Sequence, residues 1–295
     1  MSKRTWALLA ATMVSLIYGV SFTIAKDVMP TYIKPFGFIL LRVFGATILF
    51  WLVSFFGPKE KIQRNDFPRI IAAALFGVAL NMLTFFKGLS YTSPIMGAVL
   101  MVTTPMIVLI LSAFIMRERM KKRKVLGIVL GLAGTISLIL YGKSMINAPN
   151  EMLGNFLVFI NAVSYGFYLI LVKKLMDKYN AFTFVKWIYT FGFIMVLPFG
   201  WSEFDAIIWE NFTAAIWWKV VFVVVFSTFL TYMLNLVSMR ELKPTTVAVF
   251  IYLQPLFATI FAISLGKDDL SWVKIGSALL IFLGVYLVTQ KKSVQ

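Results

Sequence analysis

The chain contains no cysteine and no histidine. These absences exclude disulfides, thiol nucleophiles, Cys- or His-ligated metal sites, a histidine proton relay and a Ser-His-Asp triad. Acidic residues are scarce as well: 12 Asp and Glu against 28 Lys and Arg in 295 residues. All twelve carboxylates fall outside the long apolar runs, so no paired intramembrane acids are available for ion coupling or catalysis. What dominates instead is apolar surface. Hydrophobic residues make up 60% of the chain and charged residues 14%, whereas soluble domains run about 45–50% and about 25%. A core of this length cannot hide that excess, so lipid must solvate it. Apolar runs recur to the C-terminus, and the first run has no small-residue cleavage site ahead of it. It reads as a retained span rather than a signal peptide.

A span needs about 20 mostly apolar residues. Ten are expected, at 5–25, 36–56, 68–88, 94–115, 124–141, 152–172, 182–201, 216–238, 244–265 and 272–289. The fold class is all-α integral membrane, because a segment crossing lipid must satisfy its own backbone. The net charge of +16 would suggest nucleic acid in a soluble chain. Here topology accounts for it, and no nucleic-acid partner is expected. With the N-terminus inside, the inner segments carry 20 Lys and Arg and the outer ones 7. Both termini are therefore expected in the cytoplasm and the chain in a bacterial inner membrane. The outer loop 202–215, rich in Trp, is expected at the interface as a short helix or an irregular loop.

The two halves resemble each other. At an offset of 147, Tyr18-Gly19 meets Tyr165-Gly166 and Phe44-Gly45 meets Phe191-Gly192. At 150, Pro94 meets Pro244, Pro105 meets Pro255, Lys124 meets Lys274 and Gly134 meets Gly284. Residues 1–146 and 147–295 thus read as two five-helix repeats. Five is odd, so the second must enter the membrane inverted, a plan that recurs in secondary transporters with the site where the halves meet.

The residues Tyr18-Gly19 through Lys26, Pro35, Arg42, Tyr91-Thr-Ser-Pro94, Pro105, Glu118 and Gly127 to Gly134 resemble the drug/metabolite transporter superfamily, in its EamA-like branch. Pro244, Pro255, Gly266-Lys-Asp268 and Gly276 to Gly284 echo the pattern in the second half. The resemblance covers essentially the whole chain. It implies two inverted five-helix repeats around a central cavity lined mainly by the first, third, fourth, sixth, eighth and ninth helices. This chain has Tyr18-Gly19 where the family often has Trp-Gly, and Asp268 where it usually has Glu.

Candidate cavity residues are Tyr18, Ser21, Asn81, Thr84, Thr104, Asn161, Tyr165, Tyr168, Tyr232, Asn235 and Gln254. An unpaired amide in hydrocarbon costs roughly 2–7 kcal/mol, so each amide must face protein, water or ligand. Interhelical hydrogen bonding is the alternative role for any one of them. Arg42 is the cation that lies furthest inside a span, the others within the span bounds standing nearer their ends. It has three readings: pairing across the bundle, capture of a substrate carboxylate, and snorkelling to the outer interface. Pro105 and Pro255 are hinges or fixed kinks. Glu118 and Asp268, at repeat-equivalent helix ends, are salt-bridging, capping or gating residues. Gly127, Gly131 and Gly134, echoed by Gly276 and Gly284, form a GxxxG-type face. It packs the fifth helix on the tenth, with a homodimer as the alternative.

A neutral, aromatic, amide-rich cavity with one cation suits amino acids and related metabolites, and suits phosphorylated solutes poorly. The function expected is transport of such a solute by alternating access, as an exporter or facilitator, with no cofactor and no enzymatic step. Partners are the solute and membrane lipid. The competing readings are a proton-coupled carrier, using a Tyr, a water chain or Glu118, and a non-transporting scaffold or receptor.

Overall fold

The computed structural model describes residues 2–29, 31–58, 60–91, 100–140, 150–264 and 271–290. Among these residues there is no strand. Helix α1 spans Lys3–Val28, with Ser2 accepting from the Thr5 amide as its N-cap. Helix α2 is Pro35–Ser54, with proline in its first turn, where no backbone donor is required. Helix α3 runs through 67–91 as Phe67–Ala74, a π-helical stretch Leu75–Ala79, and Leu80–Tyr91. The described part of α4 is Thr104–Ile115, and the start of its predicted span lies outside the described residues. Helices α5 (Lys122–Leu140), α6 (Glu151–Met176) and α7 (Ala181–Asp205) follow.

Helix α8 covers 214–241 and is π-helical over Val223–Leu230. Helix α9 covers 244–264 as Pro244–Val249, a 3-10 turn Phe250–Tyr252, and Leu253–Ser264. Helix α10 is Trp272–Thr289. These rods coincide with the expected spans within a few residues at each end, the fourth being matched at its C-terminal end, since its start lies outside the described residues. Of the loop expected at 202–215, the first residues extend α7 to Asp205 and the last begin α8 at Ala214; between them the chain is irregular apart from a 3-10 turn, Trp209–Asn211. Trp209 stacks on Trp217 there, with centroids 5.7 Å apart.

The packing shows how the halves relate. Helix α2 lies along α7, and α5 along α10. Both pairs join repeat-equivalent helices, and both are antiparallel. On the first, Gly37 abuts Glu203 and Phe204, Gly200 abuts Phe36 and Leu40, and Gly57 abuts Phe182. On the second, Gly127 meets Gly284 while Gly134 meets Ser277 and Leu280. Equivalent elements running in opposite directions are what an inverted repeat requires. The remaining contacts obey the same exchange: α1 packs on α8 and α9, as α6 packs on α3 and α4. Arg4, at the start of α1, donates to the Thr289 carbonyl at the end of α10, so the start of α1 and the end of α10 lie on one face.

Lipid tails are as apolar as leucine, so helix association in a membrane rests on close van der Waals packing and interhelical hydrogen bonds rather than on the hydrophobic effect. The α5–α10 seam illustrates this. A Cβ on Gly284 would sit 2.5 Å from the Gly127 carbonyl oxygen and 2.7 Å from the Gly131 amide nitrogen. Gly276, expected on the same face, has nothing within 4 Å of its would-be Cβ and does not belong to the seam. Gly284→Ala is therefore expected to destabilise the fold by about 1–3 kcal/mol, seen as a lowered melting midpoint in detergent. Gly276→Ala should leave that midpoint unchanged or slightly raised.

Candidate functional site

Within hydrocarbon a proline leaves the carbonyl four residues earlier without its donor. Pro105 does this to Met101. The chain breaks into a turn at Val102–Thr103, and the Thr104 hydroxyl donates to the Met101 carbonyl at 2.6 Å. Thr103 does the same for Leu100, also at 2.6 Å. Thr104 is fully buried, so its hydroxyl repairs the helix and does not reach an open space. At the equivalent place in the second half the 3-10 turn Phe250–Tyr252 precedes Pro255. There Ser15 of α1 donates to the Phe250 carbonyl at 2.7 Å. Ser21 and Thr84 also bond back to their own helices, at Ile17 and Leu80.

A second pair of irregularities was not anticipated from the sequence. The π-helical stretches Leu75–Ala79 and Val223–Leu230 overlap under the same offset of 150. A π turn disturbs the i to i−4 ladder and presents carbonyls to side chains; such turns are frequent at functional sites. Here the Tyr232 hydroxyl donates to the Gly77 carbonyl at 2.6 Å and the Ser164 hydroxyl to the Phe76 carbonyl at 2.7 Å. Thr228 donates to the Val223 carbonyl five residues back, at 2.8 Å. No motif announces these turns; the only sequence signal is Gly77, where a Cβ would strike the Tyr168 ring at 2.1 Å.

Around the π turns the helices gather a tyrosine cluster. The Tyr168 ring lies 6.0 Å from Tyr165 and 5.8 Å from Tyr232, and Tyr232 lies 5.1 Å from Tyr189. The Tyr18 hydroxyl is 3.2 Å from Thr231 Oγ1, the Tyr165 hydroxyl faces Asn235, and that of Tyr189 faces Tyr232. Tyr168 is 1% exposed and its hydroxyl has no hydrogen-bond partner. Tyr18 and Tyr165, a repeat-equivalent pair, keep partial accessibility. Arg42 enters this cluster from α2. It is 9% exposed, its Nε donates to Thr228 Oγ1 at 3.0 Å, and its guanidinium lies 5.9 Å from the Phe86 ring. Tyr18, Tyr189 and Tyr232 are the phenols within its electrostatic reach. Tyr189 carries no sequence signal of its own, and sequence reasoning missed it.

Other expected members go elsewhere. Asn81 and Asn161 form a reciprocal clasp between α3 and α6, each amide donating to the other's backbone carbonyl at 3.3 and 2.7 Å. The Asn161 side-chain oxygen is buried without a partner. Gln254 packs its backbone carbonyl against Gly19. Glu118 binds Lys124, Lys243 and the Thr245 hydroxyl, joining the α4–α5 loop to the start of α9 as a salt-bridging residue. Asp268 lies outside the described residues. A separate cleft of about 490 Å³ opens beside Tyr32, Lys34 and Asn211. Its Glu203 carboxylate is already engaged, accepting from the Phe36 and Gly37 amides at the start of α2.

A ten-helix membrane bundle of antiparallel equivalent halves, with its polar groups gathered between them, is the architecture of a membrane carrier. The chain belongs to the EamA-like transporter family, which it matches over residues 5–140 and again over 152–290. It is 27% identical to an uncharacterized transporter of Archaeoglobus fulgidus, over 98% of this chain and 100% of that one. It is 24% identical to the uncharacterized transporter YetK of Bacillus subtilis, over 98% and 88% of the two chains. A solved crystal structure shares the fold with a TM-score of 0.78 over 95% of each chain, at 17% identity.

If Thr104 repairs the break at Pro105, the two residues are coupled. Thr104→Val alone should destabilise by about 1–3 kcal/mol through the unpaired Met101 carbonyl. Combined with Pro105→Ala, which restores a backbone donor to that carbonyl, the same substitution should cost measurably less. Melting midpoints of the four proteins of this double-mutant cycle check the coupling.

Proposed function

We propose that this transporter carries small polar metabolites, amino acids or close relatives, across a bacterial inner membrane by alternating access. The single observation that supports this reading best is the tyrosine cluster between the inverted halves, with Asn235, Thr228 and Arg42 at its edge. It offers phenol, amide and one guanidinium, a set that matches a small solute with a polar head and an apolar body. Phosphorylated solutes would require more cations than one.

Near-equivalent halves make inward-open and outward-open packings close in energy, so modest differential binding shifts the population between them. The helix breaks before Pro105 and Pro255 stand at corresponding places and suit a rocking motion. Residues 1–146 and 147–295 are the two moving units in this reading, and both termini face the cytoplasm, where the Lys and Arg excess lies. Export or facilitated flux down the solute gradient follows from the absence of any carboxylate within the ten predicted spans.

The test is counterflow of radiolabelled L-amino acids in proteoliposomes. At least one amino acid should exchange through the wild-type protein and not through empty vesicles. Asn235→Ala, at the cluster's edge, should cut that exchange about tenfold, the loss expected for one hydrogen bond to a charged group, while the melting midpoint holds. Equal counts in protein-loaded and empty vesicles for every amino acid would remove the substrate assignment.

A further inference from the structure

Arg42 presents an unsolved balance of charge. A guanidinium remains protonated in proteins and carries five N–H donors. Among the described residues only its Nε is hydrogen-bonded, to Thr228 Oγ1. None of the ion pairs among those residues includes it. The described acids with bonded side chains are committed elsewhere: Asp27 to Lys219, Glu60 to Thr183 and the Asn180 amide, Asp66 to Lys178, Glu118 to Lys124, Asp177 to Lys173, and Glu203 to the α2 amides. Snorkelling does not describe the geometry either. The side chain is nine-tenths buried and turns inward to Thr228, which is itself fully buried. A buried cation lacking a counter-ion is strongly unfavourable.

The repeat adds a second observation. Under the offset of 147 that aligns Tyr18 with Tyr165, Arg42 falls on Tyr189, and both belong to the helix pair α2–α7, which packs together beside the cluster. The scaffold is two-fold, yet at this pair of positions it carries a cation on one side and a phenol on the other. A site so built distinguishes the two ends of a solute.

We propose that Arg42 is the anion anchor of the transported solute. Its terminal nitrogens, which have no hydrogen-bond partner among the described residues, receive a carboxylate in two-pronged fashion, and the rest of the solute lies along the tyrosine faces. The substrate class is thereby a monoanionic or zwitterionic carboxylate. The proposal rests on the transporter reading and adds the charge that the solute must carry. Thr228 holds the guanidinium through Nε and is a positioning residue.

The full chain in detergent, at constant ionic strength in sodium chloride, is melted with free L-amino acids and benzoate and with the carboxamide of each. At least one carboxylate should raise the wild-type midpoint, through binding to the folded state, while its carboxamide and added chloride do not. Arg42→Gln should weaken that carboxylate about 10- to 100-fold, and the unliganded variant should melt at or above wild type, since an uncompensated charge has left the core. Arg42→Lys, which keeps the charge and loses the fork, should bind with intermediate affinity. The proposal is overturned if no carboxylate stabilises the wild type, if carboxamides act equally, or if unliganded Arg42→Gln melts several degrees lower. Counterflow separates the two readings. Exchange that ignores Arg42→Gln sinks the anchor and leaves the carrier, whereas Arg42-dependent binding without exchange sinks the carrier and leaves the anchor.

Discussion

Inside a bilayer no water is available to a backbone carbonyl, so every departure from the regular helix needs a side chain to complete it. This constraint organises the protein. Pro105 frees the Met101 carbonyl and Thr104 closes it; the turn ahead of Pro255 is closed in part by Ser15 from another helix. The π turns of α3 and α8 are completed by Tyr232, Ser164 and Thr228. Several polar side chains within the spans are thus committed to the backbone. Those left over, Tyr18, Tyr165, Asn235 and Arg42, define the proposed site by subtraction.

Symmetry and its violation divide the work. The antiparallel seams α2–α7 and α5–α10 are built from repeat-equivalent helices and hold the halves together through glycines that allow backbone contact. The irregular turns also occur in pairs. Chemistry, in contrast, is not duplicated. Arg42 has Tyr189 as its counterpart, and Tyr168 has Ser21. In the proposed mechanism, a symmetric scaffold gives two equivalent ways of packing, and an asymmetric lining gives the solute one orientation. Both properties are needed by a carrier that must rearrange around a bound molecule without losing hold of it.

Much of this was legible in the residues. The ten spans, the even count that brings both chain ends to one face, and the inverted relation of the halves follow from run length, charge placement and an odd repeat. Helix–helix contact at Gly127, Gly131, Gly134 and Gly284 was readable from spacing, whereas Gly276, eight residues before Gly284, faces open space. Site membership was harder. Thr104, Ser21 and Thr84 look like cavity residues because they are polar and mid-span, yet their hydroxyls reach back to carbonyls of their own helices. Asn81 and Asn161 are spent on each other. Spacing places a residue on a helix and cannot say which carbonyl lies within its reach.

The sequence by itself determined that lipid is the solvent, that helices must cross it ten times, and that the second half enters reversed. Those properties depend on composition, run length and parity, each of which is additive along the chain. Only the tertiary structure decided that two π turns sit at matching depths, that Tyr189 joins the cluster, and that Arg42 meets a threonine and phenols with no acid among the described residues. These depend on distances between residues far apart in the chain, set by the rotation and close approach of packed helices, which local pattern does not encode.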